Sequence, residues 1–269
     1  MMAIPIVQVD AFTDRPFAGN PAAVCVLSDT RPDAWMQDVA REMNLSETAF
    51  LMPGDQAYGL RWFTPAVEVD LCGHATVASA HVLWEEGYLP RGSQARFDTR
   101  SGRLLADRRG DWIELDFPAK CGAAVEPPPG LLPSLGLDPA RPEVRAVERN
   151  QFDYLVEIDS EERLRSMAPN HAALRTVEAR GVIVTARAST APYDFVSRFF
   201  APGSGIDEDP VTGSAHCALG PYWMTKLGKA EFTAYQASAR GGVVRVRVAG
   251  GRVILGGQAV TVMRGELVE

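Results

Sequence analysis

Apolar and polar residues alternate from Ile4 to Phe12, the pattern of a strand with one face buried. Asp14-Arg15-Pro16 supplies a turn, and Gly19-Asn20-Pro21 supplies a second one ahead of the apolar run Ala22 to Leu27. From Asp33 to Met43 the period changes, with Trp35, Met36, Val39, Ala40 and Met43 on one face of a helix. Glu47 to Met52 returns to strand character. Short strands are expected over Ala95 to Phe97, Arg103 to Asp107 and Trp112 to Phe117, punctuated by Gly, Pro and Arg. Lys120 to Pro139, centred on Pro127-Pro128-Pro129, reads as a linker. Beyond it the pattern predicts a strand over Gln151 to Ile158, a helix over Pro169 to Val177 and a strand over Val182 to Ala186. Val243 to Val248, Arg252 to Leu255 and Ala259 to Met263 close the chain as strands separated by glycines.

The pattern contains a near-repeat. Arg61-Trp62-Phe63-Thr64-Pro65 leads, twelve residues after its Arg, to Gly73-His74-Ala75; Arg198-Phe199-Phe200-Ala201-Pro202 leads, fifteen residues after its Arg, to Gly213-Ser214-Ala215. Each glycine opens a helix-like segment without charge, Ala75 to Trp84 and Ser214 to Thr225, counting histidine as neutral. A helix apolar on every side must be covered on every side. Two such helices imply two domains, residues 1–119 and 120–269, each wrapping strands around a central helix, with the last strand free to return to the first domain. Pro221 should remove one backbone hydrogen bond from the second helix and bend it.

Composition narrows the function classes. With 269 residues, 46% hydrophobic and 23% charged, the chain is an ordinary globular protein and not a disordered or fibrous one. The net charge of −7 gives no long-range attraction for phosphate backbones or anionic lipid, so neither nucleic acid nor membrane is an expected partner. No apolar run reaches the length of a membrane span, and Met1 to Asp10 lacks the apolar core of a secretory signal. Cys25, Cys72, Cys121 and Cys217 are widely separated and form no C-x-x-C pair. Free thiols, a cytoplasmic location and no structural zinc site follow as expectations.

The two glycine turns are where chemistry is expected. A helix start presents unpaired N–H groups and the positive end of the helix dipole, and a glycine there lets an anion come close. Two such starts facing each other could hold a substrate carboxylate without metal or cofactor; read singly, each is an ordinary turn.

Ser46-Glu47-Thr48-Ala49-Phe50, Phe63-Thr64-Pro65, Leu71-Cys72-Gly73-His74-Ala75-Thr76 and Glu208-Asp209-Pro210-Val211-Thr212-Gly213-Ser214-Ala215 resemble, in that order, the pattern of the phenazine-biosynthesis (PhzF-like) isomerase family. Val9-Asp10-Ala11-Phe12 with Gly19-Asn20-Pro21 resembles its opening strand and turn. The resemblance implies the diaminopimelate epimerase-like fold: two pseudo-symmetric α/β (α+β) domains, each a curled, mostly antiparallel sheet around a central helix, usually in a homodimer. It implies an isomerase that moves a proton and a double bond within a small carboxylated metabolite, without cofactor or metal. The family's best-known substrate is trans-2,3-dihydro-3-hydroxyanthranilate. Carried over residue by residue, Glu47 is the acid/base, His74 and Asp209 are further catalytic candidates, and Gly73, Ala75, Gly213, Ser214 and Ala215 bind substrate. His81 reads as a core histidine and His216 as structural. Two alternatives stand beside this reading. One is an amino-acid racemase or epimerase using Cys72, whose equivalent in the second turn is Thr212 and not a thiol. The other is a non-catalytic metabolite-binding protein of the same fold.

Overall fold

The computed structural model describes residues 4–138 and 143–268. The chain packs as two compact units, one of Met1–Asp116 together with Leu255–Glu269, the other of Phe117–Ile254. In the first unit, β1 (Ile4–Ala11) lies antiparallel to β2 (Asn20–Val26), and α1 (Asp33–Met43) carries the chain to β3 (Glu47–Met52), parallel to β2. Then come β4 (Tyr58–Phe63), antiparallel to β3, and the short β5 (Glu68–Val69) beside it. The helix α2 (Gly73–Glu85) leads to β6 (Ala95–Thr99), parallel to β4. β7 (Gly102–Arg109) and β8 (Trp112–Pro118) continue as an antiparallel meander.

The second unit repeats this order. After the short β9 (Ala123–Ala124) and α3 (Leu131–Ser134), β10 (Val144–Arg149) and β11 (Asp153–Ile158) form an antiparallel pair. Helices α4 (Glu161–Ser166) and α5 (His171–Leu174) carry the chain to β12 (Gly181–Arg187), parallel to β11. β13 (Phe195–Ala201) is antiparallel to β12, and β14 (Ile206–Asp209) is the short strand beside it. α6 (Gly213–Leu227) leads to β15 (Glu231–Gln236), parallel to β13, and then to β16 (Gly242–Ala249). β17 (Arg252–Gly257) precedes β18 (Ala259–Leu267), which returns to the first unit and pairs antiparallel with β1. The pairing pattern around α2 is thus matched, strand for strand, by the pattern around α6.

Burial explains the two uncharged helices. In α2, ten residues from His74 to Trp84 are buried, among them Thr76 and Ser79, whose hydroxyls donate to the carbonyls of Cys72 (2.6 Å) and Ala75 (2.7 Å). Back-bonding of this kind satisfies a polar group that has no water. α6 is buried from Ala215 to Trp223. It passes so close to β16 that a Cβ at Gly220 would stand 2.9 Å from Val246 Cγ1, so only glycine fits there. Pro221 lies inside α6, as its sequence requires, and Thr225 Oγ1 donates back to its carbonyl at 3.2 Å. No helix among the described residues is long and apolar enough to cross a membrane.

Two expectations are corrected. The Lys120 to Pro139 segment is not a free linker: Leu131, Leu132, Leu135 and Leu137 are buried in one core with Val156, Leu164 and Val182. Its prolines shape a docked strap; Pro139 itself lies outside the described residues. The helix expected over Pro169 to Val177 is only the four-residue α5, and a further short helix, α4, lies ahead of it. Ser160 caps α4 by accepting from Arg163 N at 3.1 Å, Pro169 excludes helix from the residue before it, and Asn170 then caps α5.

The near-repeat extends to its ion pairs. Arg61 holds Glu68 through Nε and Nη2, each at 2.7 Å; Arg198 holds Glu208 through the same two nitrogens at 2.7 and 2.8 Å. Each fork ties a long strand to the short one that precedes a glycine turn. Arg198 also donates to the carbonyls of Leu164 (3.2 Å) and Met167 (2.7 Å), closing the end of α4. Its side chain is more buried than that of Arg61, 11% against 28% exposed. Replacing Arg198 with Ala therefore leaves the carbonyls of buried Leu164 and Met167 and a partly exposed carboxylate without their donor, at roughly 2–4 kcal/mol. Arg61→Ala costs about 1–2 kcal/mol, because water reaches its guanidinium. Urea unfolding followed by tryptophan fluorescence should show the larger midpoint shift for Arg198→Ala; equal shifts would contradict this ranking.

Candidate active site

Glu47 is the first residue of β3, Asn20 the first of β2, and Cys72-Gly73-His74 the entry to α2. Because β2 and β3 are parallel and start side by side, their first residues meet the start of α2. Gly19 permits this turn: its φ is +65°, and a Cβ there would lie 2.1 Å from the Ala11 carbonyl.

His74 is the centre of the group. Its Nε2 stands 3.0 Å from Glu47 Oε2, with both side chains nearly buried. Neither atom has a hydrogen-bond partner of good geometry, so the approach is a charge contact and not a linear hydrogen bond. On the other side of the ring, Nδ1 is 3.1 Å from Asn20 Nδ2 and 3.5 Å from Cys72 Sγ. Ser46 Oγ donates to Asn20 Oδ1 at 3.0 Å. With the Asn20 amide so oriented, Nδ1 accepts and the ring proton of a neutral His74 lies on Nε2, toward Glu47. The Ser46 hydroxyl can also accept, so turning the amide lets this arm receive an Nδ1–H when the ring is charged.

The electrostatics favour that charge. Burial works against an imidazolium, but the Cys72 sulfur and the Glu47 carboxylate outweigh it and hold His74 well above its ordinary 6.5. Burial, reinforced by Glu47, pushes the Cys72 thiol up to about 11, so it is not a ready nucleophile. Glu47, Cys72 and His74 each offer a ligand atom, all within 4.8 Å of one another, and are the group here that could hold a metal ion.

The first turn of α2 has no acidic residue, and its N-cap Cys72 makes no side-chain cap. The N–H groups of Gly73, His74 and Ala75 therefore have no acceptor within the helix. The second unit has the same feature, for Thr212 gives no side-chain cap to α6, and Gly213, Ser214 and Ala215 form its first turn. Asp209 accepts from Thr212 Oγ1 at 2.5 Å. Gln236, fully buried, accepts from Thr212 N at 2.9 Å and donates to Asp209 O at 2.8 Å, locking the turn. Arg180, just before β12, donates to Ser214 Oγ at 3.1 Å and forks onto buried Asp153, the first residue of β11.

The sequence reading did not assign Asn20, Ser46, Arg180, Asp153 or Gln236. Asn20 had a signal, the Gly19-Asn20-Pro21 turn; Gln236 had none, being 24 residues from the turn it holds. Among the other histidines, His216 is buried, donates through Nδ1 to Thr212 O at 2.8 Å, and is pushed down to about 4 by burial. His81 is half-buried against β18, its Nε2 3.0 Å from Thr261 Oγ1, and is not in the core. Cavities of about 510 Å³ beside Tyr58 and Arg96 and about 450 Å³ beside Glu161 and Arg165 include none of the motif residues.

The profile of the family described as "Phenazine biosynthesis-like protein" matches residues 9–265. The chain belongs to this PhzF family of isomerases. An uncharacterized isomerase of Halalkalibacterium halodurans is 56% identical over 268 residues, covering 99% of both chains. A PhzF-family phenazine biosynthesis protein from Enterococcus faecalis has a similar structure, with a TM-score of 0.94, 40% identity and full coverage of both chains. A predicted epimerase of Pseudomonas aeruginosa shares the fold, with a TM-score of 0.75 at 24% identity over 99% of both chains.

The contact between Glu47 and His74 is directly measurable. In wild type the His74 ring should titrate above 6.5, and Glu47→Gln should lower the midpoint by removing the nearby negative charge. Since the folded value is raised, its stabilising effect is complete below 6.5 and fades as pH rises through the higher midpoint. Histidine NMR titration of both proteins checks this, and a midpoint unmoved by Glu47→Gln would contradict the pairing.

Proposed function

We propose that this PhzF-family isomerase moves one proton within a small carboxylated substrate, with Glu47 as the group that takes it and returns it. The observation that carries the reading is the near-buried Glu47 carboxylate, 3.0 Å from the ring nitrogen of His74. Glu47 removes a proton from one carbon, and the freed electron pair moves the adjacent double bond. The carboxylic acid then returns the proton to the far carbon of that allylic system, on the same face, and Glu47 is regenerated. Atoms and electrons balance without a cofactor. His74 stabilises the carboxylate before the first transfer and again after the second, and gives up that role while the acid exists between them.

Substrate binding falls to the helix starts. Gly73, His74 and Ala75 offer backbone N–H groups to a carboxylate, worth roughly 0.3–2 kcal/mol through the helix end. In the second unit, Gly213, Ser214 and Ala215 offer the same, with Arg180 adding positive charge and Asp209 holding the turn. The substrate proposed first is trans-2,3-dihydro-3-hydroxyanthranilate, and the working form a cytoplasmic homodimer. A racemase with two thiols fits less well. The Cys72 thiol is held protonated by burial, and its counterpart Thr212 spends its hydroxyl on Asp209.

Proton NMR in D₂O with that compound tests the proposal. Wild type should convert it, and Glu47→Gln should fold normally yet lose about 10²–10⁴-fold or more in turnover. Cys72→Ala should keep most of the activity. An active Glu47→Gln variant removes Glu47 from the mechanism. Absence of turnover in wild type removes this compound and moves the search to other unsaturated carboxylates; binding without turnover of any of them favours the metabolite-binding alternative.

A further inference from the structure

Cys72 is the buried nucleophile that proton transfer leaves unused. We propose that Glu47, Cys72 and His74 also form a site for one thiophilic divalent cation of the zinc class, and that cation binding and proton transfer by Glu47 exclude each other. The inference rests on the role given to Glu47 above and adds a means of inhibiting it.

Three observations support the site. The three ligand atoms, a sulfur, an imidazole nitrogen and a carboxylate oxygen, already lie within 4.8 Å of one another. That mixture suits Zn²⁺ or Cd²⁺ and not Mg²⁺ or Ca²⁺, which require oxygen. Two of the three residues also carry buried atoms without a hydrogen-bond partner, Glu47 Oε2 and His74 Nε2, and the His74 side chain is only 6% exposed. Finally, Asn20 and Ser46 stand behind the ring at Nδ1, so ligation is through Nε2 and requires the Cys72 sulfur, now 3.5 Å from Nδ1, to swing to the Nε2 side. With its amide turned, Asn20 accepts from Nδ1–H, as the groups behind metal-bound histidines do.

A tetrahedral zinc with bonds of roughly 2.0–2.3 Å places its ligand atoms roughly 3.3–3.8 Å apart. Glu47 and His74 therefore need to draw in, and the Cys72 thiolate to rotate from Nδ1 toward Nε2, before a cation is held. Three protein ligands leave a fourth position for water or an anion. The cation replaces two protons, that of the Cys72 thiol and the Nε2–H of the charged His74, which keeps its Nδ1–H, and both go to solvent. Nothing is oxidised or reduced. With its oxygen on the metal, Glu47 cannot accept a proton from carbon.

Cadmium is the probe, because a thiolate–cadmium bond gives an ultraviolet charge-transfer band. The protein should carry Cys121→Ser, since Cys121 is exposed and would compete, whereas Cys25 and Cys217 are buried. Titration should give one equivalent with the band. The band should vanish in Cys72→Ser or Cys72→Ala, whichever keeps the wild-type circular dichroism, and Glu47→Gln should bind at least about tenfold more weakly by calorimetry. A protein that shows no band, or a band that survives loss of Cys72, overturns the site. A Glu47→Gln variant that isomerises substrate and still binds Cd²⁺ overturns the proton-transfer reading and the exclusion but leaves the cation site.

Discussion

A helix with no polar face has to be covered on all sides, and that constraint organises each unit of this protein. α2 and α6 keep almost no contact with water along most of their length, so strands surround them and only the helix ends remain free to meet other groups. The starts of the helices are thereby fixed beside the starts of two parallel strands, β2 and β3 in one unit and β11 and β12 in the other. Packing, and not any catalytic requirement, puts reactive residues at these positions within reach of one another.

The duplicated scaffold carries different chemistry in its two copies. In the first unit the residue after the helix glycine is His74, touched by Asn20 at the head of β2 and by Glu47 at the head of β3. In the second it is Ser214, touched by Arg180 just ahead of β12, which in turn grips Asp153 at the head of β11. A carboxylate–imidazole pair in one copy thus corresponds to an arginine–hydroxyl pair in the other. The Arg–Glu forks Arg61–Glu68 and Arg198–Glu208, by contrast, are kept in both copies, as expected of parts that hold the turns.

Much of this was legible in the sequence because the signals were local. The absence of charge over Ala75 to Trp84 and Ser214 to Thr225 gave the central helices, and the repeated Arg-aromatic-aromatic runs gave the duplication. Two readings failed because tertiary packing overrode composition. The proline-rich segment after Lys120 looks like a spacer, yet its four leucines fill a core, and the helix that periodicity presents over Pro169 to Val177 shrinks to α5, with α4 ahead of it. At the site, Glu47 and His74 could be named from their motifs, but the arm of Asn20 and Ser46 and the lock made by Gln236 could not. Those contacts join residues 24 to 54 positions apart, and no local pattern encodes them.

The central claim is that one carboxyl both removes and returns the proton. The direct measurement uses a substrate carrying deuterium at the carbon that loses its proton, turned over by wild type in ordinary water, with the product read by NMR and mass spectrometry. A single shuttling Glu47 predicts that part of the deuterium reappears at the receiving carbon, on the face from which it left. Complete loss of the label to water, with the new hydrogen on the opposite face, would mean two separate acid/base groups and would contradict the account.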